Sequence, residues 1–198
     1  MARKVEKRRE ELRVKLIDIA EKRVADGGIN NVRARDLAQE AGCAVGAIYN
    51  VFTDLDTLVM AVNGRTFSRI GKAVGASIEG QGDLPPTDIL IRMSHAYLKF
   101  ASENKNEWRT LFDLQMSIER EVPKWYNEEL QRLFMYIHAP LQKLFPDMPD
   151  DDLHLMVRAL FSSVHGIVLL GLERRISAVP VDELERMIEM VLRNVTNN

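Results

Sequence analysis

A chain of 198 residues with 46% apolar residues is long enough to bury about 70% of its unfolded surface, so it needs no disulfide or metal staple. Its net charge of −2 does not by itself announce a nucleic-acid partner. No apolar run reaches the roughly eighteen residues of a membrane span, and the basic start MARKVEKRREELRVK lacks a secretory signal's apolar core, so a cytoplasmic protein is expected.

Helical period runs through the chain and no stretch alternates with period two, which predicts an all-α fold of nine helices without strands. The first helix spans about Val5 to Asp26, with Leu12, Leu16, Ile19, Ala20 and Val24 inward, and Gly27-Gly28 stops it. Two short helices follow between Val32 and Val51, with Asn31 as the cap of the first of them. A fourth begins at Thr53, where Thr53 and Asp56 are spaced as a capping box, and runs to about Ile78. After a break over residues 79–86, Thr87 or Asp88 opens a helix with Ile89, Met93, Tyr97 and Phe100 on one face. Trp108, Leu111, Phe112 and Gln115 repeat that spacing. Pro123 suits the first turn of a helix whose face is Leu130, Phe134, Ile137, Leu141 and Leu144. Pro140 removes one backbone bond there and should kink the helix near Tyr136. Residues 153–172 are apolar almost all round, as in a helix buried on two sides. The last helix starts near Pro180 and shows Val181, Leu184, Ile188, Val191 and Val195.

Residues 34–52, ARDLAQEAGCAVGAIYNVF, carry the most specific pattern. Leu37 and Ala38 lie on one helix, Gly42 marks a tight turn where a positive φ is favoured, and Cys43, Ile48 and Val51 resume an apolar face. Cys43, the single cysteine, reads as a small core residue. Two helices crossing at such a turn form a helix-turn-helix, whose second helix enters the DNA major groove.

Charge is distributed to suit that motif. Residues 1–50 carry eleven Lys/Arg against eight Asp/Glu, whereas 51–198 carry sixteen against twenty-one. Phosphate contacts are expected from Arg3, Lys4, Lys7, Arg8 and Arg9 on the arm, and from Arg33 and Arg35 at the second helix. On the recognition helix, Ala44, Val45, Gly46 and Ala47 offer few hydrogen-bonding groups; Asn50 can bond an adenine edge, and Val45 or Ala47 can meet a thymine methyl. Arg35 can reach a guanine from the second helix. So sparse a reading face leaves more of the specificity to DNA shape.

The stretch 16–58, LIDIAEKRVADGGINNVRARDLAQEAGCAVGAIYNVFTDLDTL, resembles the DNA-binding domain of the tetracycline-repressor (TetR) family. The matching pieces are Gly27-Gly28, Asp36-Leu37-Ala38, Ala41-Gly42 and Ala47-Ile48-Tyr49 followed by Phe52. Residues 159–176, ALFSSVHGIVLLGLERRI, are similar to the C-terminal domain of one subgroup, marked by a Trp, His and Gly (WHG); Val164-His165-Gly166 matches and Phe161 stands where the Trp would be.

The resemblance implies a DNA-binding domain over residues 1–57 and a helical effector-binding and dimerisation domain over 58–198. It implies a phosphate contact from the Tyr49 hydroxyl and a homodimer on a near-palindromic double-stranded operator. It further implies repression relieved by a small, mainly apolar effector. The effector site is expected among Met93, Tyr97, Phe112, Met116, Phe134, His138, Phe161 and His165. The dimer interface is expected on Leu160, Val164, Val168, Gly171 and Leu172, with Leu184, Ile188 and Val191 on the last helix. The chain departs from the family pattern at three places: Ala44 replaces the usual Ser, Leu55 the usual Lys, and Val32-Arg33 the usual Ser/Thr cap. These departures keep a second reading open, a helical ligand- or partner-binding protein with impaired DNA binding. His95, His138, His154 and His165 show no paired metal-ligand spacing, and no phosphate loop or nucleophile elbow occurs. Neither an enzyme nor a cofactor or metal site is expected.

Overall fold

Glycine sets the first helix boundaries. In the computed structural model, which describes residues 2–114, 122–173 and 179–196, helix α1 (Ala2–Gly27) ends against Gly28 at φ 71°, whose N–H reaches Val24 O at 2.8 Å. A short 3-10 turn, Ile29–Asn31, leads to α2 (Ala34–Ala41) and α3 (Val45–Tyr49). Then come α4 (Leu55–Ile78), α5 (Pro86–Glu103), α6 (Lys105–Asp113) and α7 (Lys124–Leu144), with Pro140 inside α7. The series closes with α8 (Asp150–Leu172) and α9 (Val181–Thr196). The described residues thus form nine α-helices and no strand.

Two expected caps are corrected. Asn31 does not cap α2: it ends the 3-10 turn, and its Nδ2 donates to Arg23 O at 3.2 Å, while Arg33 takes the cap position without a side-chain bond. The α4 cap falls at Asp54, whose Oδ1 accepts from Thr57 N at 2.7 Å and from Thr57 Oγ1 at 2.9 Å. A carboxylate there outcompetes the Thr53 hydroxyl because it also favours the positive end of the helix dipole.

Packing divides the chain into two compact units. The first comprises Met1–Phe67 with Asn104–Tyr126, and the second Ser68–Glu103 with Asn127–Asn198. Helix α6 belongs with α1 in the first unit: Asn106 Nδ2 donates to Ala25 O at 2.8 Å. In the first unit Leu16, Ala20 and Val24 of α1, Leu37 and Ala38 of α2, Ile48 of α3 and Trp108 of α6 are buried.

In the second unit α5, α8 and α9 pack through Leu90, Leu98, Leu153, Val157, Leu160, Val164, Val168, Leu184, Ile188 and Leu192. Helix α8 is 23 residues long, and by length and composition alone it is apolar enough to cross a bilayer, although no uninterrupted apolar run reaches that length. One stripe of it is core. Arg158 and three aspartates in its first turn keep its other side polar in places.

Candidate functional site

The helix-turn-helix is held by its glycine turn and by side chains from α1. Gly42 takes φ 68°, ψ 37°, so Cys43 N–H reaches Ala38 O at 3.0 Å and Gly42 N–H reaches Gln39 O at 3.2 Å, the paired bonds of a Schellman turn. Lys15 Nζ donates to Ala41 O at 2.9 Å, satisfying another orphan carbonyl. From α1, Arg23 clamps α2: Nη1 lies 3.3 Å from Asp36 Oδ2, and Nη2 lies 3.2 Å from Glu40 Oε1. Arg13 sits over the buried Phe52 ring at 5.6 Å, just past the recognition helix. Cys43 is half-buried, less enclosed than a core position.

These clamps leave one side of α3 in solvent. Ile48 is fully buried, whereas Ala44, Val45, Gly46, Tyr49 and Asn50 are exposed and Ala47 is half-exposed. Arg33 and Arg35 are exposed at the start of α2, as are Arg3, Lys4, Lys7, Arg8 and Arg9 along α1. Tyr49, 49% exposed, is not consumed by packing against α1. A second polar node lies deeper in this unit. Asn63 Nδ2 donates to Thr110 O at 3.3 Å and to Tyr126 Oη at 3.2 Å, while Asn63 Oδ1 is buried without a partner among the described residues. Arg65 ties α4 to α1 through Asp18 at 2.7 Å and Glu21 at 2.6 Å.

The second unit holds a partly open cavity of about 80 Å³. Ile70 and Val74 come from α4; Leu90, Met93, Ser94 and Tyr97 from α5; Leu133, Tyr136 and Ile137 from α7; Leu160, Phe161 and Val164 from α8. An aromatic cluster flanks it. Phe161 stacks on His165 at 5.6 Å and meets Phe134 edge-on at 5.4 Å. Tyr97 Oη lies 2.9 Å from His165 Nδ1, and burial pushes the His165 imidazole below its usual range, toward the neutral form.

Of the expected effector residues, Met93, Tyr97 and Phe161 line the cavity, with Phe134 and His165 in the cluster beside it. His138 instead faces His154 of α8, ring centres 5.4 Å apart. Phe112 belongs to the first unit, where it packs edge-on against Trp108 at 5.6 Å. Met116 and Gln115 lie outside the described residues. Sequence reasoning missed Ser94, Tyr136 and the α4 wall. Gly71 and Gly75, one turn apart on α4, were the available signal: a Cβ at Gly75 would lie 3.1 Å from Tyr136 Oη, and one at Gly71 would lie 3.4 Å from Leu133.

The residues expected at a dimer interface are placed as follows. Leu160, Val164, Val168, Leu184 and Ile188 are buried within a single chain, and a Cβ at Gly171 would lie 2.5 Å from Leu184. Leu172 and Val191 are only half-exposed. The apolar surface lies on another stripe of α8, with Leu155 65% and Leu170 48% exposed, and on α9 at Met190, 57% exposed. Among the described residues no three His, Cys, Asp or Glu side chains are grouped to hold a metal ion.

Comparisons with known proteins agree with this fold. Residues 90–195 match the tetracyclin repressor-like C-terminal domain. No curated protein matches the sequence. Solved structures with the same fold include RolR in complex with resorcinol, at TM-score 0.71 and 20% identity over 96% of this chain and 89% of that one. The regulator FadR from Bacillus subtilis, in complex with stearoyl-CoA, superposes at TM-score 0.68 and 15% identity over 90% and 96%. A TetR-like transcriptional regulator from Rhodococcus sp. RHA1 does so at 0.61 and 19% over 96% and 97%. With more than half of its length matching that domain and a helix-turn-helix at its start, the chain belongs to the tetracycline-repressor-like family of transcriptional regulators.

Proposed function

We propose that the protein is a sequence-specific DNA-binding regulator, a homodimeric repressor released from a near-palindromic operator by a small, mainly apolar ligand. The observation that carries this reading is the solvent-facing side of α3, with Tyr49 and Asn50 exposed and Arg33 and Arg35 flanking it. Residues 1–57 would supply DNA binding and 58–198 effector binding and dimerisation. Helix α4 starts three residues after Phe52 and carries Ile70 and Val74 into the cavity wall, so a ligand pressing on that wall acts on the helix that follows the reading head.

RolR and FadR were solved with resorcinol and with stearoyl-CoA, which supports reading the cavity of this chain as its effector site. Val164-His165-Gly166 supports the WHG subgroup, with His165 held by Tyr97 beside that cavity. A second copy would cover the stripe from Leu155 to Leu170 with Met190. Gly166 lies on that side: a Cβ there would meet no atom within 4 Å, so internal packing does not require glycine. Covering this stripe would also account for the apolar character of α8 in a cytoplasmic protein.

Selecting fragments of the organism's own DNA on the purified protein tests the reading. Enrichment of near-palindromic sites, released by an apolar ligand, is expected. Absence of any salt-dependent complex would favour the helical ligand- or partner-binding protein with impaired DNA binding.

A further inference from the structure

The fold pairs two histidines whose spacing in the sequence signals no metal site. His138 of α7 is half-buried and His154 of α8 is exposed. Their ring centres lie 5.4 Å apart, with the planes tilted by 43° rather than stacked. Two imidazole nitrogens that hold one ion at about 2.0–2.1 Å in tetrahedral geometry bring their ring centres to about 5 Å. The observed separation therefore already suits a bis-imidazole site. We propose that His138 and His154 bind a divalent transition-metal ion of the Zn²⁺ class, which bridges α7 and α8.

Imidazole nitrogen suits such ions and not Mg²⁺, which takes oxygen ligands. Among the described residues no third His, Cys, Asp or Glu is grouped with the pair, so solvent completes the coordination. The surrounding charge favours a cation. Asp150 and Asp151 stand one turn before His154, and with Asp152 they outweigh the half-charge of the α8 N-terminus. Arg158, one turn after His154, lies over the Phe134 ring at 5.3 Å. On α7 the residues one turn to either side of His138, Phe134 and Gln142, are uncharged. Both helices also wall the cavity, so a bound ion fixes two of its sides relative to each other. The site does not require that the cavity hold an effector.

Calorimetric titration of the full chain with Zn²⁺, beside Mg²⁺, tests the proposal. Zn²⁺ should bind at one ion per chain, and Mg²⁺ should not bind. The second imidazole acts at the effective concentration set by the two helices, so His138→Gln and His154→Gln should each weaken Zn²⁺ binding by about tenfold or more. His95→Gln should leave it unchanged, since His95 Nε2 lies 3.7 Å from Glu189 Oε1 of α9, away from the pair. An ion held by the native state alone stabilises it, so Zn²⁺ should raise the Tm of the wild type and not of the double variant. Shifts of the His138 and His154 ring resonances on adding Zn²⁺ to the unaltered chain give the same reading without any substitution. No saturation below about 1 mM Zn²⁺, equal binding by the variants, or equal binding of Mg²⁺ overturns the proposal. One ion per two chains, with a rise in mass on sedimentation, would place the ion between copies at the exposed His154 and overturn it as well.

Discussion

The two compact units differ most in what their interiors hold, since both also carry polar bonds between helices, such as Arg193 to Asp88 in the second. In the first, Asn63, Thr66, Glu107 and Thr110 are buried polar residues, and Arg23, Lys15 and Arg65 bind across helices. In the second, Thr196 is the buried polar residue among those described, and twelve side chains wall a cavity that is almost wholly apolar. Directional bonds between charged groups admit one geometry, which suits a helix that must be presented at a fixed angle. Apolar walls around open space tolerate repacking, which suits a site that adapts to what it binds.

That contrast can be broken most forcefully by truncating a core residue in the first unit and enlarging a wall residue in the second. Leu37→Ala, at a fully buried position clamped from α1, should lose about 2–5 kcal/mol in denaturant unfolding. Ser94→Val in the cavity wall should change stability by less than about 1.5 kcal/mol, because the added carbon enters existing space. Equal losses would remove the distinction between scaffold and adaptable wall.

Next in size, Arg35→Ala should weaken binding to a selected operator by about 1–3 kcal/mol if its partner is guanine, with thermal unfolding unchanged since the side chain is exposed. Fluorescence anisotropy measures the first and calorimetry the second; a mutant that binds like wild type at every salt concentration removes Arg35 from the reading face.

The smallest effect is on pH dependence. Burial lowers the His165 pKa from the usual value of about 6.5, so in the unfolded chain the ring takes up its proton first. The unfolded state then binds more protons just below that value, and stability should fall as pH drops through this window. His165→Gln should flatten that part of the curve of Tm against pH. An unchanged curve would show that the imidazole is as solvated in the native chain as in the unfolded one.

Much of the helical frame was legible because glycine and helical period act locally. Gly28 and Gly42 both sit at positive φ where the turns were expected, and Ile48 faces inward as its spacing required. Contacts far apart in sequence were not legible. The clamp from Arg23 to Asp36 and Glu40 bridges 13 and 17 positions, and nothing near Arg23 signals it. Helix α8 shows why apolar content alone misleads. When a helix is apolar around most of its circumference, its sequence does not say which stripe meets its own chain. Val164 and Val168 went inward, and Leu155 and Leu170 stayed out. The cavity lining divided similarly: Phe161 and Tyr97 were expected there from the family resemblance, while Tyr136 depended on two glycines of another helix.

The central claim is that α3 and its flanking arginines bind DNA, and the salt dependence of operator binding tests it most directly. Anisotropy titrations of a selected operator across a series of salt concentrations should show log K falling linearly with log salt, by about 0.9 per phosphate neutralised. With several contacts from the arm, Arg33 and Tyr49, the fall should be steep, and shallower when Arg33 is removed. No complex, or one whose affinity does not change with salt, would contradict the account.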